Sequence, residues 1–256
     1  MHLKLLLAYD GSSFLGWQET REGPSIQGTL RMCVEQITQA PAKIEGASRT
    51  DAGVHAWGQV VSLQCCDRFS TERLVHSLQC LLPESIAIRD WEIVSDAFHP
   101  SLQAKEKTYR YLISRIRQPL VRHQVWTLDR SLPDLDLNAM QEAAHALLGH
   151  HNFSAFATDH LGYPIRDPYC CLKEMLISTP DAALIEIQLR GNRFLYKMCR
   201  TLVGSCVEVG LGRRSITSLV QALQSGRRAD VGLCAPAQGL CLMEVLLQDS
   251  SAETST

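Results

Sequence analysis

The apolar positions of this chain switch repeatedly between a period of two and a period near 3.6, and a chain patterned that way is confined to a mixed α+β architecture. His2–Tyr9 alternates as a strand, and Asp10-Gly11-Ser12-Ser13 turns it. Pro24-Ser25 then offers a helix N-cap, behind which Ile26, Leu30, Cys33, Val34 and Ile37 recur at helical spacing. Gly46–Gly53 reads as a loop and Gln59–Gln64 as a short strand around Val60 and Val61. Ser70-Thr71 caps a second helix through Leu74, Leu78 and Leu81, Pro83 stops it, and Ile86–Val94 supplies another strand. Two helices among strands able to pair antiparallel predict a ferredoxin-like half.

The rest of the chain echoes this order. Thr108–Arg115 alternates as a strand, and Asp136–Leu148 sets Leu137, Met140, Ala144 and Leu147 on one helical face. Glu174–Ser178 and Ala183–Arg190 read as strands, Arg193–Gly210 and Ile216–Ser225 as helices, and Leu240–Leu247 as a closing strand. Pro100 interrupts the pattern near Ala97–Lys105, so the expected division is an N-terminal half at 1–104, a C-terminal half at 105–248 and a flexible polar tail at 249–256. Two α+β halves in succession, with their sheets joined or facing, place a cleft between them.

The chain has 256 residues, 45% of them hydrophobic and 20% charged, which suits a full core and excludes disorder for its bulk. No apolar run approaches the ~18–20 residues of a membrane span, and the apolar opening Met1–Ala8 is cut short by Asp10 and Gly11. A soluble, cytoplasmic protein is expected. The ten cysteines include no C-x-x-C pair; Cys65–Cys66 and Cys170–Cys171, read as strand pairs, point to opposite faces and do not share a metal. The nine histidines include no H-E-x-x-H, and His150–His151 falls in a loop-like stretch at Gly149–Asn152. Structural thiols in a reducing compartment, and no zinc, are expected.

The formal charge of −2 argues against polyanion binding over the whole surface, but the basic residues are concentrated. Lys105–Arg122 holds six Lys or Arg against Glu106, and Arg190–Arg214 holds six against Glu208. Such stretches either present one positive surface or are two ordinary solvated faces.

The densest chemical signal is Gly46-Ala47-Ser48-Arg49-Thr50-Asp51-Ala52-Gly53-Val54-His55-Ala56, a glycine-bracketed loop placed just before a strand. An aspartate there suits a carboxylate nucleophile, provided a cation keeps it ionised. It equally suits a turn aspartate that bonds its own backbone, with Arg49 as a structural partner. In Lys105-Glu106-Lys107-Thr108-Tyr109-Arg110-Tyr111, Lys107, Tyr109 and Tyr111 share a strand face, so that tyrosine stacks a base while lysine meets phosphate, or the tyrosine is simply core. Arg193, Lys197 and Arg200, spaced by four and three, share one face of the expected helix. No Walker loop, post-strand G-x-G-x-x-G or G-x-S-x-G occurs, so triphosphate, dinucleotide and serine-hydrolase readings have no support.

Together these stretches resemble the tRNA pseudouridine synthase A (TruA) family over nearly the whole chain and in order. The resemblance is carried by Tyr9-Asp10-Gly11, Gly16-Trp17-Gln18, Ser25-Ile26-Gln27-Gly28 and the loop Arg49-Thr50-Asp51-Ala52-Gly53-Val54-His55-Ala56 with Gly58-Gln59-Val60. It continues through Phe98-His99, Lys107-Thr108-Tyr109-Arg110-Tyr111, Leu148-Gly149, Asn152-Phe153, Asn192, Phe194, Met198, Arg200, Val203-Gly204, Glu208-Val209-Gly210, Ala235-Pro236 and Gly239-Leu240. Two positions depart from the family's pattern: Glu19 stands where glutamine is commoner, and Asp159–Leu172 is unfamiliar although Arg166 fits.

The resemblance implies two α+β halves sharing an extended, mainly antiparallel mixed sheet across a central active-site cleft. It implies isomerisation of uridine to pseudouridine at positions 38, 39 and 40 of the tRNA anticodon stem-loop, by a homodimer, with no cofactor or metal. By similarity Asp51 is the nucleophile, Tyr109 stacks on the target base, Arg200 pairs with Asp51 and Arg49 draws out the flipped nucleotide. A non-catalytic tRNA-binding chaperone on the same scaffold, or a family member aimed at other uridines, are the alternatives.

Overall fold

The computed structural model describes residues 1–128, 134–158, 165 and 167–248. The tail at 249–256 and Arg166 lie outside the described residues. The chain divides into two compact units, Met1–Glu106 joined by the chain from Leu242 on, and Lys107–Cys241. The C-terminal half therefore does not run unbroken to 248: its last strand rejoins the first unit.

In the first unit β1 (His2–Tyr9), α1 (Ile26–Thr38), β2 (Lys43–Gly46), β3 (His55–Gln64), α2 (Thr71–Leu81) and β4 (Ile86–Ile93) follow the βαββαβ order of a ferredoxin-like fold. The sheet runs β4-β1-β3, with β2 on the far edge of β3, and these pairs are antiparallel. β2 is the strand the sequence reading lacked, Ile44 being its one buried position. Alternation in β1 buries Leu3, Leu5, Leu7 and Tyr9. The helices start where their caps dictate: Ser25 Oγ accepts from Gly28 N and Ser70 Oγ from Arg73 N. α1 and α2 pack on each other, and they bury Ile26, Leu30 and Val34, and Leu74, Val75 and Leu78. Each fully buried aliphatic side chain contributes about 1.5–3 kcal/mol.

The second unit contains most of β5 (Ala104–Ser114), then β6 (Trp126–Thr127), α3 (Leu137–Ala146), β7 (Gly149–Asn152), β8 (Tyr169–Asp181), β9 (Leu184–Gly191), α4 (Met198–Gly210) and α5 (Ile216–Ser225). Its sheet runs β5-β9-β8-β7, antiparallel throughout, and β6 adds a short parallel pairing to β5. Tyr109, Tyr111 and Ile113 lie opposite Leu189, Ile187 and Ile185, and all six are buried. α4 is apolar nearly all round and is buried accordingly. The closing strand β10 (Leu240–Leu247) pairs with β3 in the first unit, where Gln248 N–H bonds the Gln103 carbonyl at 2.8 Å.

Three expectations need correction. α4 begins at Met198, not Arg193, because Lys197 stands in the left-handed region at φ 63°. Asn192 Oδ1 instead accepts from Cys171 N and Arg193 N, each at 2.8 Å, which ties the segment to β8. Arg193, Lys197 and Arg200 thus do not share a helical face. His150 and His151 lie in strand β7 rather than a loop; His150 stacks on Tyr169 and His151 Nε2 bonds the Leu148 carbonyl at 2.8 Å. Cys65 and Cys66 follow β3 instead of lying in it. Among the described residues no helix is long and apolar enough to cross a membrane.

Candidate active site

Arg49 and Asp51 lie on the connection between β2 and β3 in the first unit, and the sequence around them folds that connection from several sides. Ala47 N–H bonds the Val60 carbonyl at 2.8 Å and Trp17 N–H bonds the Thr50 carbonyl at 3.0 Å. Val54 N–H returns to the Asp51 carbonyl at 3.1 Å, closing a turn in which Gly53 takes φ 78°. The Gly-Trp-Gln motif supplies the closest support. Gly16, at φ 93°, lies so near the loop backbone that a β-carbon there would stand 2.5 Å from the Thr50 carbonyl oxygen. Trp17 is buried against Gly46, leaving no room for a side chain at 46. Gly11 N–H donates to His55 Nδ1 at 3.1 Å, which ties the turn after β1 to the start of β3.

Ser48 and Thr50 are buried, Arg49 is exposed and Asp51 is part-buried. The loop therefore sets Ser48 and Thr50 inward, leaves Asp51 partly accessible and Arg49 exposed. Other residues of the resemblance are structural. Gln27 donates to the Ile44 carbonyl at 2.7 Å, while its Oε1 accepts from Gln18 Nε2 at 2.7 Å and Glu19 N at 3.0 Å.

Tyr109 and Arg200 belong to the second unit. Tyr109 is buried and meets the Phe194 ring edge-on, with centroids 5.3 Å apart and planes at 85°. Arg200, in the first turn of α4, donates from Nε to the Ala235 carbonyl at 2.7 Å. Tyr111, the next tyrosine on the same face, is core: its hydroxyl donates to the Pro236 carbonyl at 2.7 Å, and Gly239 lies against its ring. Burial raises the Tyr111 phenol far above its ordinary range. Lys107 is part-buried, and that burial pushes its ammonium down to about 8, with Cys199 opposing the shift and Arg193 adding to it.

Three of the six basic residues in the second stretch are paired locally. Arg190 pairs with Glu174, Arg193 with Asp167 and Arg214 with Glu208, each at 3.1 Å. Arg193 is thus a loop tether and not part of a cationic helix face. The side chains of Tyr9, Thr50 and Gln59, which the sequence reading did not single out, also hold the loop: the Tyr9 hydroxyl lies 2.8 Å from Thr50 Oγ1, and Gln59 Nε2 donates to the Ser48 carbonyl at 2.5 Å. Their place in the motifs was the available signal, but a tyrosine on an apolar strand reads as core until its hydroxyl partner is seen.

The sequence profile of the tRNA pseudouridine synthase family matches residues 6–101 and 143–246, and the chain belongs to that family. A protein of Acetivibrio thermocellus named tRNA pseudouridine synthase A is 34% identical, covering 95% of this chain and 98% of its own. Proteins with the same name from Methylacidiphilum infernorum and Myxococcus xanthus are 36% and 37% identical, covering 94% and 96% of this chain and 94% and 92% of their own. Among solved structures, a Cbf5-Nop10-Gar1 complex matches with a TM-score of 0.38 at 10% identity, over 94% of this chain and 48% of that one.

Proposed function

We propose that this chain isomerises uridine to pseudouridine at positions 38, 39 and 40 of the tRNA anticodon stem-loop, with Asp51 as the nucleophile. The observation that carries the reading is the Asp51 loop, whose backbone is gripped by Gly16, Trp17 and Val60 while Asp51 itself is only part-buried. Positioning of this kind is what a nucleophile needs and what binding alone does not.

In the proposed reaction the Asp51 carboxylate attacks the nucleoside, at C6 of uracil or C1′ of ribose. The N1–C1′ bond breaks, the base turns in the pocket and a C5–C1′ bond forms. The proton on C5 leaves, N1 takes one up, and the carboxylate is released, so the sum is an isomerisation with no net redox change. Tyr109 stacks on the target base, Arg200 keeps the Asp51 carboxylate ionised and Arg49 draws the nucleotide from its stack. The working unit is a homodimer in the cytoplasm, which joins the modest basic surfaces of two near-neutral chains into one tRNA site.

The test is pseudouridine mapping of an anticodon stem-loop transcript incubated with the wild-type protein and with Asp51→Asn. New pseudouridine at 38 to 40 with the wild type alone supports substrate and nucleophile together. Transcript bound by both proteins with no pseudouridine from either overturns the reading and favours a tRNA chaperone. Pseudouridine formed elsewhere in intact tRNA redirects it to other uridines.

A further inference from the structure

Beneath the Asp51 loop lies a chain of buried polar groups that the reaction above does not use. Gln59, on β3, is fully buried, and Ser48, Thr50 and Tyr9 are each less than 8% exposed. Gln59 Oε1 accepts the Ser48 N–H at 3.2 Å, which fixes the amide so that Nε2 is the end facing the Ser48 carbonyl, at 2.5 Å, and the Tyr9 hydroxyl, at 3.4 Å. The Tyr9 hydroxyl lies 2.8 Å from Thr50 Oγ1.

An amide nitrogen only donates, so the Tyr9 oxygen accepts from Gln59 Nε2, while either hydroxyl can donate in the Tyr9–Thr50 bond. The bonds run without a break from Gln59 through Tyr9 to Thr50, the residue bonded directly to Asp51. Buried polar groups cost about 1–3 kcal/mol apiece when left unpaired, so the loop is held to the one conformation that satisfies them all.

We infer that Tyr9 and Gln59 are positioning residues that hold the Asp51 carboxylate in attacking register through Thr50. The inference rests on Asp51 being the nucleophile. A tyrosine and a glutamine buried for packing alone would be replaceable by isosteric apolar groups at little cost to the chemical step.

The experiment compares single-turnover rate, tRNA dissociation constant and Tm for Tyr9→Phe, Gln59→Met, Thr50→Val and Thr50→Ser, with the Tyr9→Phe/Thr50→Val double variant and Asp51→Asn alongside. A nucleophile displaced by a fraction of an ångström loses on the order of 10–100-fold in rate. Tyr9→Phe, Gln59→Met and Thr50→Val are expected to fall in that range with tRNA affinity within about twofold of wild type. Thr50→Ser, which keeps the hydroxyl, is expected to restore most of the rate, and the double variant to be no slower than the slower single one. Rates that track the folded fraction, or Tyr9→Phe and Gln59→Met at wild-type rate while Asp51→Asn is dead, overturn the positioning role and leave the nucleophile standing. An active Asp51→Asn overturns the nucleophile reading, and the positioning role with it.

Discussion

Arg200 and Ala235 hold each other through two hydrogen bonds of opposite sense: Ala235 N–H donates to the Arg200 carbonyl at 3.0 Å, and Arg200 Nε donates to the Ala235 carbonyl at 2.7 Å. The guanidinium is thereby aimed by a bond that uses none of its terminal nitrogens. Lysine offers a charge without that Nε–H. Arg200→Lys is therefore expected to keep the fold and most tRNA affinity while losing at least tenfold in the chemical step. Single-turnover pseudouridine formation measured beside filter binding separates the two quantities. Wild-type turnover in Arg200→Lys would show that charge alone suffices at this position.

At Gly16 stability and the Asp51 loop are directly coupled. An alanine there meets a backbone at φ 93° and a carbonyl oxygen 2.5 Å from its β-carbon. The left-handed conformation alone costs about 1–3 kcal/mol, and relieving the overlap displaces the peptide between Thr50 and Asp51. Gly16→Ala is expected to lower Tm by roughly 5–10 °C, and to lose activity at temperatures where it is fully folded. Gly212 is the control: it too has a positive φ, 67°, but a β-carbon there meets nothing within 4 Å. Gly212→Ala should show the milder strain alone and retain activity.

Tyr109 separates ring from hydroxyl. Its ring packs edge-on against Phe194, and the proposed stacking on a base would draw on the ring and not on the oxygen. Tyr109→Phe keeps the ring and is expected to retain substrate affinity within a few-fold. Tyr109→Leu is expected to weaken binding of the target nucleotide by roughly 1–3 kcal/mol, the usual worth of a base–aromatic stack. Titration of an anticodon stem-loop with each variant measures this. Equal loss in both variants would assign the contribution to the hydroxyl instead.

Much of this was readable from the residues because local signals agreed with the fold. Ser25 and Ser70 cap where a serine before an apolar stripe should, and α5 and β10 begin and end where their patterns do. The errors share one cause, backbone partners supplied from far along the chain. No glycine or proline between Arg193 and Met198 signals a break in the sequence, yet Asn192 binds β8, Thr158 N–H takes the Tyr196 carbonyl at 3.2 Å and Lys197 is left-handed, so those residues form no helical turn. β2 escaped notice because its four residues, Lys43-Ile44-Glu45-Gly46, bury one side chain and gain their identity only by pairing with β3. In the candidate site, Arg49 and Asp51 were legible as a glycine-bracketed loop, whereas the Gln59–Tyr9–Thr50 chain exists only once β1 and β3 are side by side.

Lys107 gives the site a pH signature whose sign is fixed by its environment. Burial holds its ammonium at about 8, against 10.5 for an ordinary lysine, so between those values the unfolded chain binds more protons than the folded one. Stability must then rise with pH through that window, and the cost of burying the charge is present in full below about pH 8. Lys107→Met removes the titrating group. The variant is expected to be the more stable protein at pH 7, by about 1–3 kcal/mol for a shift of this size at a part-buried site. Its advantage should shrink steadily toward pH 10.5, which paired thermal or urea melts at a series of pH values will trace. If the strand face that carries Lys107 meets phosphate as proposed, the same substitution should lower the slope of log affinity against log salt by about one phosphate contact. A stability gap that does not change between pH 7 and 10.5 would mean that folding leaves the Lys107 pKa unshifted.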